Sequence, residues 1–228
     1  MTHRVIAIGD IHGCAAAFRS LLESIRVRPG DTLVALGDCI DRGPDSCQVI
    51  EELLLLRSKC RLMTLLGNHE EMMLKFLDGR PQPDDWLECG GEATLDSYRR
   101  ATPDGLVPPE HLDFIRTWAD FWETETHFFA HGAYHPDQPF AVQRWQTWRW
   151  HSLRDSVPGP HRSGKTAILG HTSQKNGEVL DLGHLKCIDT YCWGGGWLTA
   201  LDVRSEQIWQ ADADGNIRRE TTRGGPFG

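Results

Sequence analysis

The sequence predicts an α/β protein in which strands and helices share one core. Short apolar runs flanked by Gly, Asp or His recur along the chain, and their length and flanks are typical of buried strands. Helical periodicity separates the first three runs, but it fades after about residue 165, where closely spaced strands with Gly turns follow. The runs are Val5–Ile8, Leu33–Leu36, Leu62–Leu66, His127–Ala130, Ala167–Leu169, Leu185–Ile188 and Leu198–Val203.

The first half of the chain is predicted to fold as β-α-β-α-β, with two more helices after it. Apolar residues spaced three and four apart predict the first two helices, at Ala15, Phe18, Leu21, Leu22 and Ile25 and at Val49, Ile50, Leu53, Leu54 and Leu56. A third helix is expected to open at Glu70 and to stop at Asp78-Gly79-Arg80-Pro81. A Pro-rich stretch over 102–109 precedes a fourth, whose apolar positions run from Leu112 to Phe121.

The chain has 228 residues, enough for one large domain with a substantial core. No repeat and no clear linker divides it, so the α/β first half and the β-rich second half are predicted to form layers of one core. We expect a catalytic domain over residues 1–215. Residues 216–228 form a polar tail, rich in Arg and Gly, that is predicted to be mobile.

Composition and charge exclude several classes of partner. Twenty-four basic and thirty-two acidic residues give a net charge of −8, which disfavours nucleic acid and anionic membrane surfaces. The N-terminal apolar run is too short for a signal peptide or a membrane span. Seven cysteines without a C-x-x-C pair are typical of reduced thiols, so a cytoplasmic location is expected.

Five turns that follow predicted strands carry acidic, amide or imidazole groups beside glycines. They are Gly9-Asp10-Ile11-His12-Gly13, Gly37-Asp38-Cys39-Ile40-Asp41-Arg42-Gly43, Gly67-Asn68-His69-Glu70, His131-Gly132 and Gly170-His171-Thr172. Polar groups at strand ends converge on one cleft. The carboxylate, amide and imidazole donors suit Mn, Fe or Zn. Six such donors exceed the needs of one catalytic ion, so the sequence predicts two ions about 3.5–4 Å apart with a bridging carboxylate.

These motifs in this order resemble the phosphoprotein phosphatase family of metallophosphoesterases. Asp10, Asp38 and Asn68 are separated by 28 and 30 residues. The short form resembles the bacterial and phage lambda-type Ser/Thr phosphatases and the bacterial diadenosine-tetraphosphate hydrolases, and residues 90–98, 188–190 and 194–201 add partial matches. The resemblance implies a four-layer α/β-β/α sandwich of the calcineurin-like metallophosphoesterase type.

The resemblance also implies a metal-binding role for six residues. The first divalent ion is expected on Asp10 and His12, with Asp38 bridging to the second. The second site is completed by Asn68, His131 and His171. Mn is the favoured metal, and Fe and Zn are alternatives.

Four further residues receive roles from the resemblance. His69 is expected to donate a proton to the leaving oxygen, and Asp41 to orient that imidazole. Arg42 is expected to bind phosphate oxygens. The second phosphate-binding arginine is predicted as Arg149, in an apolar-Trp-Arg segment, with Arg144 as the alternative.

The function expected from these features is a dinuclear-metal phosphoesterase. The first hypothesis is a Ser/Thr protein phosphatase, with dual specificity left open, and the second is a bis(5'-nucleosyl)-tetraphosphatase with the same centre. The substrate is therefore a phosphoprotein or a phosphorylated small molecule. A catalytically silent binding module is disfavoured, because all predicted ligands and His69 are present.

Two other features allow competing interpretations. Residues 159–166 match the P-loop pattern, but the expected strand before it and helix after it are missing from the sequence. Nine tryptophans are many for this length, and five lie between Trp118 and Trp150. Core packing and a cleft wall explain them better than a stacking platform for an adenine or phosphotyrosine ring.

Overall fold

Two β-sheets organise the computed structural model, which describes residues 3–81 and 85–218. The first sheet contains β1 Val5–Ile8, β2 Thr32–Ala35, β3 Arg61–Thr64, β9 Asp189–Thr190, β10 Trp197–Asp202, β11 Ile208–Ala211 and β12 Ile217–Arg218. The second contains β4 Phe121–Glu123, β5 His127–Ala130, β6 Thr166–Leu169, β7 Leu180–Asp181 and β8 Leu185–Cys187. The strand orders are β12-β11-β10-β1-β2-β3, with β9 beside β10, and β4-β5-β6-β8-β7.

Six α-helices accompany the sheets in the described part of the chain. They are α1 Ala15–Ile25, α2 Ser46–Leu56, α3 Asn68–Leu77, α4 Glu92–Ala101, α5 Pro109–Arg116 and α6 Trp145–Trp150. Strands β1, β2 and β3 are parallel neighbours, as are β5, β6 and β8. The carboxyl ends of each parallel set therefore lie along one edge of its sheet, where the polar turns begin.

Successive side chains of a strand point to opposite faces of its sheet, so each sheet contributes to a separate hydrophobic layer on either side. Ile6 and Ile8 of β1 pack with the helices, whereas Val5 and Ala7 belong to a core shared with β5 and β6 of the other sheet. A third core lies on the far face of the second sheet and includes Trp148 of α6. This is the four-layer sandwich predicted above, although its last layer consists of α6 and irregular chain within the described residues.

Several predicted boundaries are corrected by the structure. Helix α3 begins at Asn68, two residues before the predicted start, because the Glu70 carboxylate accepts the N–H of Gly67 and so caps the first turn. The helix predicted to reach Phe121 ends at Arg116, and Phe121 begins β4. Helix α4, which the sequence did not predict, packs against α2.

The sheet extends beyond the boundary predicted at residue 215. Ile217 pairs with Ala211, so β12 uses the first residues of the predicted tail, while residues 219–228 lie outside the described part of the chain. All seven cysteines are present as thiols, as expected. Across residues 3–81 and 85–218, the structure contains no helix with the length and apolarity needed to cross a membrane.

Two leucines of α2 test the layer assignment. Leu53 is fully buried between α2 and the first sheet, whereas Leu55 is 56% exposed. Because a buried leucine leaves a cavity when truncated, Leu53→Ala should lower the free energy of unfolding by about 2–5 kcal/mol. Leu55→Ala, with the same change in helix propensity, should stay within about 0.5 kcal/mol of wild type. Urea denaturation followed by circular dichroism measures both, and equal losses would contradict the assignment.

Candidate metal centre

The predicted site residues lie in turns with an unusual backbone. Eight non-glycine residues in the described ranges have positive φ, and five of them belong to the predicted site: His12, Asp38, Asp41, Arg42 and His171, with φ between 45° and 71°. Left-handed backbone is costly for residues with a Cβ and concentrates at functional sites. The backbone conformation of these turns therefore lowers the stability of the fold while it positions these side chains.

The Glu70 carboxylate joins the turns that follow β2 and β3. It is fully buried and accepts N–H groups from Asp38 at 3.0 Å, Cys39 at 2.7 Å and Gly67 at 3.0 Å. Burial, followed by the neighbouring Asp38 charge, raises the pKa of Glu70 to about 7, although the amide of Cys39 opposes that rise. The side chain fixes Asp38 relative to the helix that begins at Asn68.

All three predicted ligand histidines bond a backbone carbonyl with one ring nitrogen. The pairs are His12 Nδ1 with Ile40 O at 2.9 Å, His131 Nδ1 with Leu36 O at 3.0 Å, and His171 Nε2 with Trp150 O at 3.1 Å. A carbonyl can only accept, so each of those nitrogens carries a hydrogen, and the opposite nitrogen of each ring is the one that could bind a metal ion. Metal-binding histidines in proteins are oriented in this way.

Asp38 lies at the centre of the cluster. Its Oδ1 is 3.3 Å from His131 Nε2, and its Oδ2 is 3.6 Å from His12 Nε2 and 3.9 Å from His69 Nε2. Two groups of three residues share it, and the ligand atoms within each group lie within 4.8 Å of one another: His12, Asp38 and His69, and Asp38, His131 and His171. Burial alone would raise the pKa of Asp38, but His131, His69 and His12 hold it well below its usual range.

The remaining predicted ligands border this cluster. The Oδ1 of Asn68 is 3.0 Å from His131 Nε2. Asp10 lies outside both groups of three, and its carboxylate accepts the N–H of His171 at 3.0 and 3.1 Å. Burial, followed by the charges of Asp189 and Asp38, raises the pKa of Asp10 well above its usual value. A divalent cation would offset this repulsion between buried carboxylates, so the donor set suits metal ions.

His69 differs from the other histidines of the centre in its partner. Its Nδ1 lies 2.7 Å from Asp41 Oδ2. Asp41 is fully buried and also accepts from Trp86 Nε1 at 2.8 Å and from Thr94 Oγ1 at 2.7 Å. These bonds fix the carboxylate, which in turn orients the imidazole, so that Nε2 faces the Asp38 side of the centre. The geometry suits proton transfer by His69.

A cleft of about 340 Å³ opens over the centre. Its lining includes Asp38, Arg42, Asn68, His69 and His171 of the predicted set, together with Ser152, Arg154, Ser173, Lys175, Tyr191 and Trp193. Sequence reasoning missed Arg154 and Lys175, which lie in irregular segments without a motif. It also missed Tyr191 and Trp193, which lie between the partial matches at 188–190 and 194–201.

Arg149 does not line this cleft, and its phosphate-binding role stays a prediction. It donates to Glu71 Oε2 at 3.1 Å and to Asp120 Oδ1 at 2.7 Å, and it borders a separate cavity of about 450 Å³. The buried Glu71 carboxylate holds it there, together with Trp150, whose indole donates to the same oxygen at 3.0 Å. The alternative, Arg144, is exposed and precedes α6.

The structure also excludes a P-loop at residues 159–166. Thr166 begins strand β6, whereas a P-loop leads into a helix whose N-terminus binds phosphate. Lys165 forms an ion pair with Glu123.

Known proteins resemble this chain over most of its length. It is 32% identical over 214 residues to serine/threonine-protein phosphatase 1 of Salmonella typhimurium, covering 88% of this chain and 92% of that protein. It is 26% identical over 266 residues to the symmetrical bis(5'-nucleosyl)-tetraphosphatase of Nitrosospira multiformis, covering 91% of this chain and 95% of that protein.

Solved structures share the fold. A protein provisionally assigned as a diadenosine tetraphosphatase superposes with a TM-score of 0.71 at 24% identity, over 92% of this chain and 94% of that one. A cold-active protein-tyrosine phosphatase from a Shewanella species gives a TM-score of 0.62 at 16% identity, over 96% and 80% of the two chains.

The family model described as calcineurin-like phosphoesterase matches residues 3–195. That range contains both sets of parallel strands and every predicted site residue. The chain therefore belongs to the calcineurin-like phosphoesterases and is a metal-dependent hydrolase of phosphoric esters.

Proposed function

We propose that this hydrolase is a protein phosphatase that removes phosphate from serine and threonine side chains and uses two Mn ions. The observation that carries the proposal is the alignment length. The alignment with the tetraphosphatase runs over 266 positions, more than the 228 residues of this chain, so that relative has segments that this chain lacks. The alignment with the protein phosphatase has 214 positions, fewer than the 228 residues of this chain, so it does not require comparable extra segments in that relative.

The second candidate is hydrolysis of a dinucleoside tetraphosphate. It is supported by the high coverage of the tetraphosphatase, 95%, and by two aromatic rings at the cleft, Tyr191 and Trp193, on which a nucleobase could stack. Parallel turnover assays on phosphoserine, phosphothreonine and phosphotyrosine peptides and on diadenosine tetraphosphate, each with Mn, separate the two candidates. Faster turnover of the tetraphosphate than of every peptide would reject the first.

The proposed chemistry divides between metal ions and protein groups. When bound, two divalent ions would activate a water molecule and neutralise phosphate charge. Asp10, His12 and Asp38 would hold one ion, and Asp38, Asn68, His131 and His171 the other. The presence of Asp38 in both groups of ligand atoms supports this assignment, although the first group contains His69 and not Asp10.

The protein groups bind phosphate and move one proton. Arg42 and Arg154, on the cleft wall, would bind the phosphoryl oxygens through their planar guanidinium groups. His69 Nε2 would donate a proton to the leaving oxygen while Asp41 stabilises the imidazole.

The bridging role of Asp38 can be tested by metal content. Asp38→Asn removes a charge shared by both groups of ligands, so both ions should bind more weakly, whereas His171→Ala should weaken one only. Metal stoichiometry by inductively coupled plasma mass spectrometry, after dialysis against limiting Mn, measures this difference. Retention of two ions by the Asp38 variant would contradict the assignment.

Arg154 and Arg149 offer a matched comparison of an arginine in the cleft with one outside it. Arg154 lines the cleft, whereas Arg149 is held by Glu71 and Asp120. Arg154→Ala should raise the KM for a phosphoserine peptide about tenfold or more, since a charge-assisted bond to phosphate is worth about 1.5–3 kcal/mol. Arg149→Ala should leave KM within about twofold and lower the melting temperature instead. Steady-state kinetics and thermal unfolding measure these effects, and the reverse order of KM values would assign phosphate binding to Arg149.

The dependence of turnover on the leaving group distinguishes proton donation by His69 from other roles of that residue. A poor leaving group such as the serine alkoxide needs a proton, whereas p-nitrophenolate scarcely does. His69→Asn should therefore reduce turnover of a phosphoserine peptide by about 10²–10⁴-fold but reduce turnover of p-nitrophenyl phosphate much less. Arg42→Ala, which affects the phosphoryl group common to both substrates, serves as the control and should not discriminate. Equal losses for His69→Asn at unchanged metal content would mean that His69 is not the proton donor.

A further inference from the structure

Trp193 lies on the cleft wall beside Arg42. The indole is 37% exposed and belongs to a one-turn 3₁₀ helix, Cys192–Gly194. The guanidinium carbon of Arg42 lies 4.7 Å from the centroid of the Trp193 ring. At this distance a guanidinium is attracted by the face of an indole. The contact with the indole therefore acts on the guanidinium group of Arg42, which would bind phosphate.

The backbone and stem of Arg42 are fixed by another segment. Arg42 has a left-handed backbone, with φ of 68°, and its N–H donates to Gly90 O at 3.1 Å. A Cβ at Gly90 would lie 2.7 Å from Arg42 Cγ, so the stem of the arginine rests directly on that glycine. These contacts set the direction in which the side chain leaves the turn, but they leave the outer torsions of the side chain free.

The other neighbour of the guanidinium is one of the predicted metal ligands. Arg42 Nη1 donates to His12 Nε2 at 2.8 Å. His12 Nε2 carries the lone pair that an ion would use, because Nδ1 is bonded to a carbonyl. The lone pair cannot serve the arginine and an ion together. In the metal-loaded protein, the contact with the indole remains to orient the guanidinium.

The indole is itself held in place by Tyr191. The two ring centroids are 5.0 Å apart, with an interplanar angle of 66°. Tyr191 adopts a left-handed backbone, with φ of 68°. Its ring occupies the space beside Gly194, where an added Cβ would collide with the tyrosine Cζ. A strained residue and an adjoining glycine thus place Trp193 over the cleft.

We propose that Trp193 is a positioning residue that orients the guanidinium of Arg42 toward the phosphoryl group of the substrate. It acts through Arg42 and needs no contact with the substrate. The inference rests on the proposed function of the cleft as the site of phosphate ester hydrolysis.

A double-mutant cycle tests this role in the full-length, Mn-loaded protein. Trp193→Leu keeps apolar bulk but removes the aromatic face, and Trp193→Phe keeps a smaller face. Two quantities are measured for each variant: kcat/KM on a phosphoserine peptide and the dissociation constant of inorganic phosphate by calorimetry. Metal content and thermal stability are measured alongside, so that loss of metal or of folding is recognised.

We expect substitution of Trp193 to reduce phosphate affinity and kcat/KM only when Arg42 is present. Trp193→Leu should weaken phosphate binding and lower kcat/KM by about three- to tenfold, and Trp193→Phe should recover most of that loss. In an Arg42→Ala background the leucine substitution should have almost no further effect, because its target is gone.

Trp145→Ala is the matched control. Trp145 is 39% exposed and also packs against cations, with Lys75 Nζ 5.2 Å and Arg149 Cζ 5.3 Å from its ring centroid, but it borders the separate cavity. Its removal should leave both quantities within about twofold of wild type.

Two results would overturn the inference. Independent, multiplicative losses in the Arg42→Ala background would mean that Trp193 acts on the substrate directly, and an unchanged phosphate affinity in Trp193→Leu would mean that it has no positioning role. Absence of phosphopeptide turnover by the wild-type protein would instead reject the proposed function, and the phosphate affinities would still decide the role of Trp193.

Discussion

The buried carboxylate of Glu70 is the interaction on which the centre depends most. The turns after β2 and β3 leave backbone N–H groups pointing inward, and buried amides require acceptors. Glu70 accepts from Asp38, Cys39 and Gly67, and it lies within the first turn of α3. One side chain therefore fixes the carboxylate shared by both ligand groups relative to Asn68 and His69. The parallel strands bring the turns to one edge, and Glu70 determines their separation.

Hydrogen-bond partners divide the four imidazoles of the centre into two groups, which correspond to the two roles proposed for them. His12, His131 and His171 each bond a carbonyl, which fixes the tautomer and leaves one nitrogen available as a ligand. His69 instead bonds the carboxylate of Asp41, which orients its ring and supports the proposal that this imidazole is the proton donor. Residue type alone does not distinguish the two roles. The chemistry of each ring is set by the group behind it.

The sequence predicted the parts of the molecule that depend on local pattern. Strands β1 to β3 and helices α1 and α2 lie where apolar spacing placed them, because each alternates with polar turns over a short stretch of chain. Turn motifs also predicted residues that come together around Asp38. Local pattern could not show that Glu71, 78 residues away in sequence, binds Arg149, or that Arg154 lies on the cleft wall. Phe121, apolar and correctly spaced for a helix, pairs with Ala130 in a sheet instead.

The left-handed turns have a consequence for how such a protein can change over evolution. His12, Asp38, Asp41, Arg42 and His171 occupy backbone conformations that glycine adopts without penalty. Selection for stability alone would favour glycine at each of these positions, and selection for chemistry would retain the side chain. The two pressures oppose each other at the same codons. Stabilising substitutions can therefore accumulate in the helical layer and the sheets, while these turns remain a fixed cost that the rest of the fold must offset.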